Sequence, residues 1–475
     1  MYTITHIYKN IIKNRIKDKI KTLTDDLIDN IVDNIGSSNN YVSTISYIQD
    51  SEREMIKHLI VSIFHELDFN FKNSKERLKN YTISKSNVSR TITTIFGDIT
   101  FYRTYYKSRF SNSYHFVLDE LLDLHKYDRY DPVVKAYAID NYTKTNQALS
   151  GKITGNQISS INELINDNKI HSIPRQSIHN WINKWNVPED TYKPRETPEI
   201  LYIMVDEKFL GCQNLPNDIM VKSYVVFENI LPISKNRNSL VNRLVFNTAD
   251  NTPWVKFSDF LYKIYDPTKI KKIFLLSDGG RWITANFGEL RVEKNITIKH
   301  LLCEFHFKQS INRITSIKEE RNLIFSFFHS LNKNDFLSVL YAFKSKYHDR
   351  SNIIDKQINY ISNYYGNIKA MLKSNIGSSM ESHISHIVAS PFSSRPKGFS
   401  SLKINKYLMI NDLFNNGKNL FNLYLSSYNN LPSPSKEFLR RPTKKVHETT
   451  SPEPVHLPFN HPNLFLKGIF NTSSI

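Results

Sequence analysis

Residues 200–212 read ILYIMVDEKFLGC, an aliphatic and β-branched run that ends in acid at Asp206. Such a run predicts a β-strand with a carboxylate at its exit. Residues 269–280, KIKKIFLLSDGG, repeat the arrangement: a short apolar strand, then Asp278, then a Gly-Gly turn. An acid at the end of one strand is an ordinary turn residue. Two acids at the ends of strands that lie side by side form a site, so the order of the strands decides what these residues are for.

That order can be read outward from 200–212. Residues 218–230 (DIMVKSYVVFENI) and 238–248 (NSLVNRLVFNT) predict two more strands, close enough in sequence to pair antiparallel with the first. Residues 252–265 (TPWVKFSDFLYKIY) have helical spacing, the second acid-ended strand follows, and 295–305 (NITIKHLLCEF) predict a fifth strand. Three antiparallel strands followed by parallel ones entered through helices is the order of the ribonuclease-H-like fold. In it the first and fourth strands are neighbours, and Asp206 would meet Asp278. The chain is therefore expected to be an α+β multidomain protein. Its core would be a mixed five-stranded sheet spanning 198–400, with a helical insertion at about 308–375.

The whole chain has 475 residues, enough for several cores. A net charge of +18 points to a polyanionic partner, since every neutralised phosphate releases counterions. Two cysteines, Cys212 and Cys303, exclude a disulfide framework and a four-thiolate zinc site, and fit a reducing cytoplasm. The first residues are polar and charged, unlike a signal peptide, and no apolar run approaches a membrane span.

Ahead of the core, residues 1–85 predict helices, with Met55, Ile56, Leu59, Ile60, Ile63 and Phe64 along one face. In 86–131 the period changes to two. Residues 89–109 (SRTITTIFGDITFYRTYYKSR) predict a hairpin turning at Gly97-Asp98, whose second arm brings Arg103 and Lys107 among tyrosines, a set suited to a phosphate backbone. Residues 132–190 predict a helix-turn-helix-like unit with helices in 131–149, 155–167 and 172–185. In the last, Ser172 is placed to cap and Pro174 to open the first turn. Ile178, Trp181, Ile182 and Trp185 face inward, leaving Arg175, Gln176, Ser177, His179, Asn180 and Lys184 for solvent or for base edges in a major groove. Residues 401–475 predict a helix and then a flexible Pro-, Ser- and Lys/Arg-rich tail.

Residues 377–386, GSSMESHISH, pose a separate question. As a zinc site, Glu381, His383 and His386 do not converge. On a helix the histidines share a face away from the glutamate, and on a strand His386 turns away. Met380, Ile384, Ile387 and Val388 form an apolar stripe with Glu381 at its edge, which suits a third acid on a helix packed against the sheet. The competing reading is a capping box, Ser378-x-x-Glu381. Hard divalent ions prefer carboxylate oxygens.

Together these stretches resemble a family. CEFH (303–306), 377–400 (GSSMESHISHIVASPFSSRPKGFS), the hairpin TIFGDITFYRTYY and the helix IPRQSIHNWI are similar to DDE transposases of the ISLre-two insertion-sequence family, relatives of the Mutator-like transposases. The resemblance covers roughly residues 88 to 400. It implies a DNA transposase in which Asp206, Asp278 and Glu381 hold Mg²⁺ or Mn²⁺ and His306 assists, with Arg395 and Lys397 as further phosphate contacts. The partner would be double-stranded DNA, both element ends and target, bound by a homo-oligomer in a bacterial cytoplasm at the nucleoid, with no membrane. Where the family has a further acid and a histidine after the first acid, this chain reads DEKF, and Phe399 stands where a tryptophan is expected. A ribonuclease-H-fold nuclease or resolvase would use the same acids. A non-catalytic DNA-binding descendant would keep the 172–185 helix.

Overall fold

The computed structural model describes residues 41–165, 171–212, 215–234, 237–374, 376, 379–393 and 399–429, with scattered positions between 14 and 32. The described residues fall into two compact units, one drawn from Met1–Asn186 and Leu420–Ile475, the other from Val187–Asn419. No helix among the described residues is long and apolar enough to cross a membrane.

The first unit opens with α1 (Tyr41–Lys72), whose Ile60, Val61 and Phe64 pack against Ile92, Ile99, Phe101 and Leu118. Those partners belong mainly to β1 (Tyr81–Thr94) and β2 (Gly97–Ser108), which pair antiparallel, with the short β3 (Tyr114–His115) along β2. The hairpin starts at Tyr81, earlier than the sequence suggests, and its turn is Ile95-Phe96 rather than Gly97-Asp98. The Thr94 hydroxyl organises it, accepting from the Phe96 N–H (3.1 Å) and donating to the Gly97 carbonyl (3.0 Å).

The same hairpin corrects the reading of Arg103. It sits on the inward side of β2, its guanidinium 3.7 Å from the Phe116 ring centroid and paired with the buried Asp119, which also binds Arg90 at 2.6 Å. An alternating strand offers a basic residue to solvent or to a buried acid according to parity, and Asp119 decides it. Lys107 lies half-buried with its ammonium 5.7 Å from the Tyr114 ring.

Next come α2 (Pro132–Lys144), α3 (Gln147–Ile158) and α4 (Arg175–Lys184). The single helix expected over 131–149 is broken at Thr145, because the Asn146 side chain accepts from the Leu149 N–H (2.9 Å) and starts a new helix. Helix α4 begins at Arg175 with Pro174 as its N-cap. Ser172 is exposed and does not cap it. Ile178 and Ile182 are fully buried, as their spacing requires. Segment 171–173 crosses α3 at two glycines one turn apart. A Cβ on Gly151 would lie 2.1 Å from the Ile173 carbonyl oxygen, and one on Gly155 1.6 Å from that of His171. Only glycine permits that approach.

The second unit is built on a five-stranded sheet of β4 (Ile200–Leu210), β5 (Ile219–Phe227), β8 (Leu244–Thr248), β9 (Lys272–Ser277) and β10 (Thr297–Leu302). A separate hairpin, β6 (Asn229–Ser234) and β7 (Arg237–Val241), lies between β5 and β8 in the chain. The stretch 238–248, expected as one strand, is broken at Asn242. That residue takes a φ of 52° and donates from its amide to Glu228 (2.7 Å). Strand order is β10-β9-β4-β5-β8, with β4 antiparallel to β5, β5 antiparallel to β8, and β4-β9-β10 parallel. Both faces of β4 are covered. Leu201, Ile203 and Val205 join a core with Trp254, Phe257 and Leu261 of α5 (Pro253–Tyr262), while Met204 joins Leu276, Leu301, Met371, Met380 and Ile384 on the other side. A strand buried on both faces reads as a continuous apolar run.

Between β9 and β10 lies the short α6 (Arg281–Asn286). After β10 come α7 (Glu304–Ile314), α8 (Lys318–Ser330), α9 (Lys333–Lys346) and α10 (Ser351–Ser374), with a core of their own around Phe307, Phe328, Phe336 and Ile358. This is the helical insertion the sequence predicts. Then α11 (Met380–His383) runs directly into a π-helical turn, Ile384–Ala389.

Helix α12 (Ile404–Asn415) covers the free edge of β8. Side chains of Asn405, Asp412 and Asn416 accept from the backbone N–H groups of Ala249, Asn247 and Val245, each at 2.7 Å. Alternate N–H groups of an edge strand thus find partners on one helix face, which removes a template for edge pairing. The last described helix, α13 (Leu420–Asn429), belongs to the first unit. There Phe421 lies 4.8 Å from Tyr137 and Tyr424 lies 5.4 Å from Trp185, ring centre to ring centre. The tail read in the sequence beyond 430 lies outside the described residues.

Candidate active site

The parallel pairing of β4 with β9 ends at Met204 opposite Leu276. Strand β9 stops at Ser277, just before Asp278, whereas β4 stays paired with β5 past Asp206 as far as Leu210, so Asp206 stands inside its strand and not at its end as the sequence suggests. Asp206 is buried, 9% exposed, and one oxygen accepts from the Glu207 N–H at 2.8 Å. Asp206, Glu207 and Asp278 each present an oxygen within 4.8 Å of the others. Asp206 also belongs to a second group: ligand atoms of Asp206, His306 and Glu381 lie within 4.8 Å of one another. Asp206 is thus the shared corner of two candidate ion sites, one all-oxygen and one with a single imidazole nitrogen.

The remaining corners come from different elements. Glu207, of opposite parity to Asp206 on β4, is held by the Trp282 indole N–H of α6 at 2.5 Å. His306 stands in the first turn of α7, just past β10. Glu381 is exposed on α11, while its neighbours Met380 and Ile384 are buried against the sheet. Ser379 is the N-cap of α11 and makes no side-chain cap bond, and Ser378, the other half of the proposed capping box, lies outside the described residues. His383 Nδ1 is 2.8 Å from the Ser379 carbonyl, so that histidine turns back on its own helix instead of outward, while His386 is exposed. A π-helical turn widens the helix by one residue per turn and recurs at functional sites. Here it begins at Ile384, three residues after Glu381.

The electrostatics follow from burial. Desolvation pushes the Asp206 carboxyl up to about 6, opposed by the Glu207 N–H and by His306, and reinforced by the Asp278 and Glu207 carboxylates. Burial also raises Glu207, against the pull of the Trp282 hydrogen bond. At His306 burial disfavours the imidazolium, yet the Cys303 side chain, Asp206 and Asp278 outweigh it and raise its pKa above the ordinary value. Like charges gathered in a partly dry corner disfavour their own ionisation unless a cation joins them. The donor set, mostly carboxylate oxygen, fits a hard divalent ion.

The loop after β9 is fixed by the helical insertion. Tyr360 and Tyr364 of α10 donate to the carbonyls of Asp278 (2.8 Å) and Gly279 (2.7 Å). Gly279 has a φ of 87°, and a Cβ there would sit 2.8 Å from the Tyr364 ring. The Ser277 hydroxyl lies 2.8 Å from His300 Nε2, and Gly280 donates to Asp278 at 2.8 Å.

In the first unit, Arg175, Gln176, Asn180 and Lys184 are exposed along α4 as expected, with Ser177 and His179 half-buried. Gln176 donates to Asn180 at 3.1 Å. Arg395 and Lys397 lie outside the described residues. Glu207, Trp282, Tyr360 and Tyr364 were not marked by the sequence. Glu207 alone left a signal there, as the second acid of DEKF.

The second unit thus presents an acidic cluster with a histidine where the parallel pairing of β4 and β9 ends. The match of residues 41–421 to the model of an uncharacterised protein family, UPF0236, places the chain in that family. Similar proteins occur in Caldanaerobacter subterraneus subsp. tengcongensis. One UPF0236 protein, whose name joins eleven locus labels from TTE0033 to TTE2212, is 24% identical over 429 residues, 86% of this chain and 87% of its own length. Another, UPF0236 protein TTE2489, is 23% identical over 419 residues, 86% of each chain.

Proposed function

We propose that this chain is a DNA transposase: a metal-dependent enzyme of ribonuclease-H-like fold that binds the ends of a mobile element, cleaves phosphodiester bonds there and joins the freed ends to target DNA. The observation that carries the proposal is the position of Asp206. It lies on the central strand β4, just past the point where its parallel pairing with β9 ends and Asp278 follows, and its ligand atoms lie within 4.8 Å of those of Glu207 and Asp278 and of those of His306 and Glu381. The strand order β10-β9-β4-β5-β8, with its helical insertion before the last acid, supports the ribonuclease-H-like reading. A relative's name that gathers eleven loci of one genome supports a gene that multiplies within its host.

In this reading Asp206, Glu207 and Asp278 would hold one divalent ion, Mg²⁺ or Mn²⁺, and Asp206, His306 and Glu381 a second. Bound ions supply the activation of an attacking oxygen and the charge balance on the leaving one. The protein's own part is positioning. The tyrosines of α10 hold the backbone of Asp278, the Trp282 indole holds Glu207, and the sheet packing of Met380 and Ile384 holds Glu381 at the cluster's rim. Phosphoryl transfer asks little else of a protein beyond alignment and charge. Helix α4 would read duplex DNA, and a homo-oligomer would bring two ends together.

The test is a plasmid carrying the gene with its natural flanks. The wild-type protein should excise or join the flanking ends with Mg²⁺ or Mn²⁺, whereas Asp206→Asn should bind the same DNA and join nothing. If Asp206→Asn joins ends at the normal rate, the assignment is wrong. Cleavage without joined products would assign a nuclease of the same fold instead.

A further inference from the structure

At the other end of the same sheet face lies a cleft of about 480 Å³, lined by Tyr202, Phe274, Lys299, Lys369 and Lys373 among others and, among the described residues, by no acidic one. Its floor is set by cross-strand register. Tyr202 on β4 and Phe274 on β9 are direct neighbours, the next position, on β10, is Lys299, and on the other side Phe227 of β5 backs Tyr202 from within the core without lining the cleft. The three rings stand in a row. Tyr202 is stacked on Phe227 at 5.1 Å and 9° and on Phe274 at 5.3 Å and 11°. The row stops at Phe274 because β10 supplies a lysine where a fourth ring would stand.

The charges around it are of one sign. Lys272 places its ammonium 4.8 Å from the Phe274 ring. On the facing helix α10, Lys369 donates to the carbonyls of Phe328 and His329 at the end of α8, which commits its charge to the fold. Lys299 and Lys373 are exposed and make no ion pair among the described residues. A bare phosphate would gain from the lysines and nothing from the rings, and an acidic peptide would leave the flat row unmatched. A nucleotide uses both: a base has a π-face for the row and a phosphate for the cations.

We propose that this cleft holds an unpaired nucleotide of a DNA strand, its base against Phe274 at the open end of the row, where it displaces the exposed Lys299 side chain, and its phosphate between Lys299 and Lys373. The proposal rests on the DNA reading above and deepens it. Tyr202 and Asp206 share a face of β4 four residues apart, roughly 13 Å at the rise of a strand. Met204 between them is buried beneath Met371, Met380 and Ile384, so a strand seated in the cleft would reach the acids around that packing and not along the sheet face.

The experiment uses the full chain in EDTA, so that no metal contributes. A short fluorescent oligo-dT bearing one 5-iododeoxyuridine is titrated by anisotropy and then photo-cross-linked. Cross-links should map to Tyr202 or Phe274. Lys299→Glu with Lys373→Glu should weaken binding at least tenfold without lowering the melting temperature. The milder Lys299→Gln/Lys373→Gln pair should flatten the dependence of log affinity on log salt by about 1.4, two cations at about 0.7 each. Unchanged affinity in the Glu pair, cross-links only elsewhere, or competition by dTMP or polyglutamate as strong as by the strand overturns the proposal. End-joining by the wild-type protein is measured in parallel. Joining intact with the cleft variants binding normally sinks the cleft alone, whereas a wild type that neither binds nor joins DNA sinks both.

Discussion

The hydroxyl of Tyr360 donates to the backbone carbonyl of Asp278 at 2.8 Å, and four residues on Tyr364 does the same for Gly279 at 2.7 Å. The helical insertion is therefore part of the site's construction: it holds the backbone on which one of the clustered acids stands. Removing one such bond costs about 1 kcal/mol of stability. Tyr360→Phe should melt only a few degrees lower yet slow cleavage about tenfold or more, with DNA affinity unchanged. Loss of affinity in step with rate would show that the tyrosine serves the fold alone.

Asp206 yields a prediction about pH. Its folded value, about 6, lies above the ordinary 3.8, so the folded state binds the extra proton between those values. The contribution is favourable below pH 3.8, diminishes as pH rises from there to about 6, and is lost above that. The rise corresponds to a ceiling of about 3 kcal/mol. Without metal, Asp206→Asn should therefore be more stable than wild type at pH 8, and the advantage should vanish near pH 4. Thermal melts across that range check it. A variant destabilised at pH 8 would refute the burial argument.

The crossing at α3 predicts a severe response to one methyl group. A Cβ on Gly151 meets the Ile173 carbonyl at 2.1 Å, backbone against backbone, with no flexible side chain to yield. Gly151→Ala should destabilise the first unit by about 3 kcal/mol, the upper end for overpacking. Hydrogen exchange read separately in α2–α4 and in the sheet should show the loss in the helices.

At the edge of the sheet, Asp412 is buried and both its oxygens accept from Asn247. Asp412→Ala leaves a buried N–H and a buried amide unsatisfied, at a cost of about 2–5 kcal/mol. It also frees one of the three N–H groups that α12 and Asn416 satisfy along the β8 edge. Denaturant melts should show the loss, and light scattering should show aggregation that the wild type lacks.

Arg103 and Arg175 should separate structure from contact. Arg103→Ala removes one of two partners from buried Asp119 and should lower the melting temperature. Arg175→Ala, on the exposed side of α4, should leave the melt alone and reduce the salt slope of duplex binding by about 1.

Much of the second unit was readable because its rules are short-range or topological. An apolar run ending in acid marks a strand end at Asp278, while at Asp206 the strand runs on to Leu210, and the order of strands and helices sets which strands adjoin. Asp206 and Asp278 meet through that chain of reasoning. Glu381 was reachable through the stripe Met380–Ile384–Val388, although the stripe closes on a π-turn that no spacing rule anticipates. What the sequence hid depends on partners far away in it. Nothing local distinguishes Arg103 from a solvent-facing arginine, since Asp119 lies on another element. The roles of Tyr360 and Tyr364 depend on a loop about 80 residues earlier. The break at Asn146 turned on one side-chain bond competing with a helix that had no other reason to stop.

Helix α13 has a consequence for synthesis. It completes the first unit, yet it is synthesised after the whole of the second unit. Domains fold as they emerge. Through most of translation, then, the N-terminal helices wait without the partner that sets Tyr424 against Trp185 and Phe421 against Tyr137. A chain ending before Leu420 would carry every residue of the second unit's sheet and acid cluster but a first unit short of its last helix. In this reading, the capacity to cut would be assembled before the capacity to choose where.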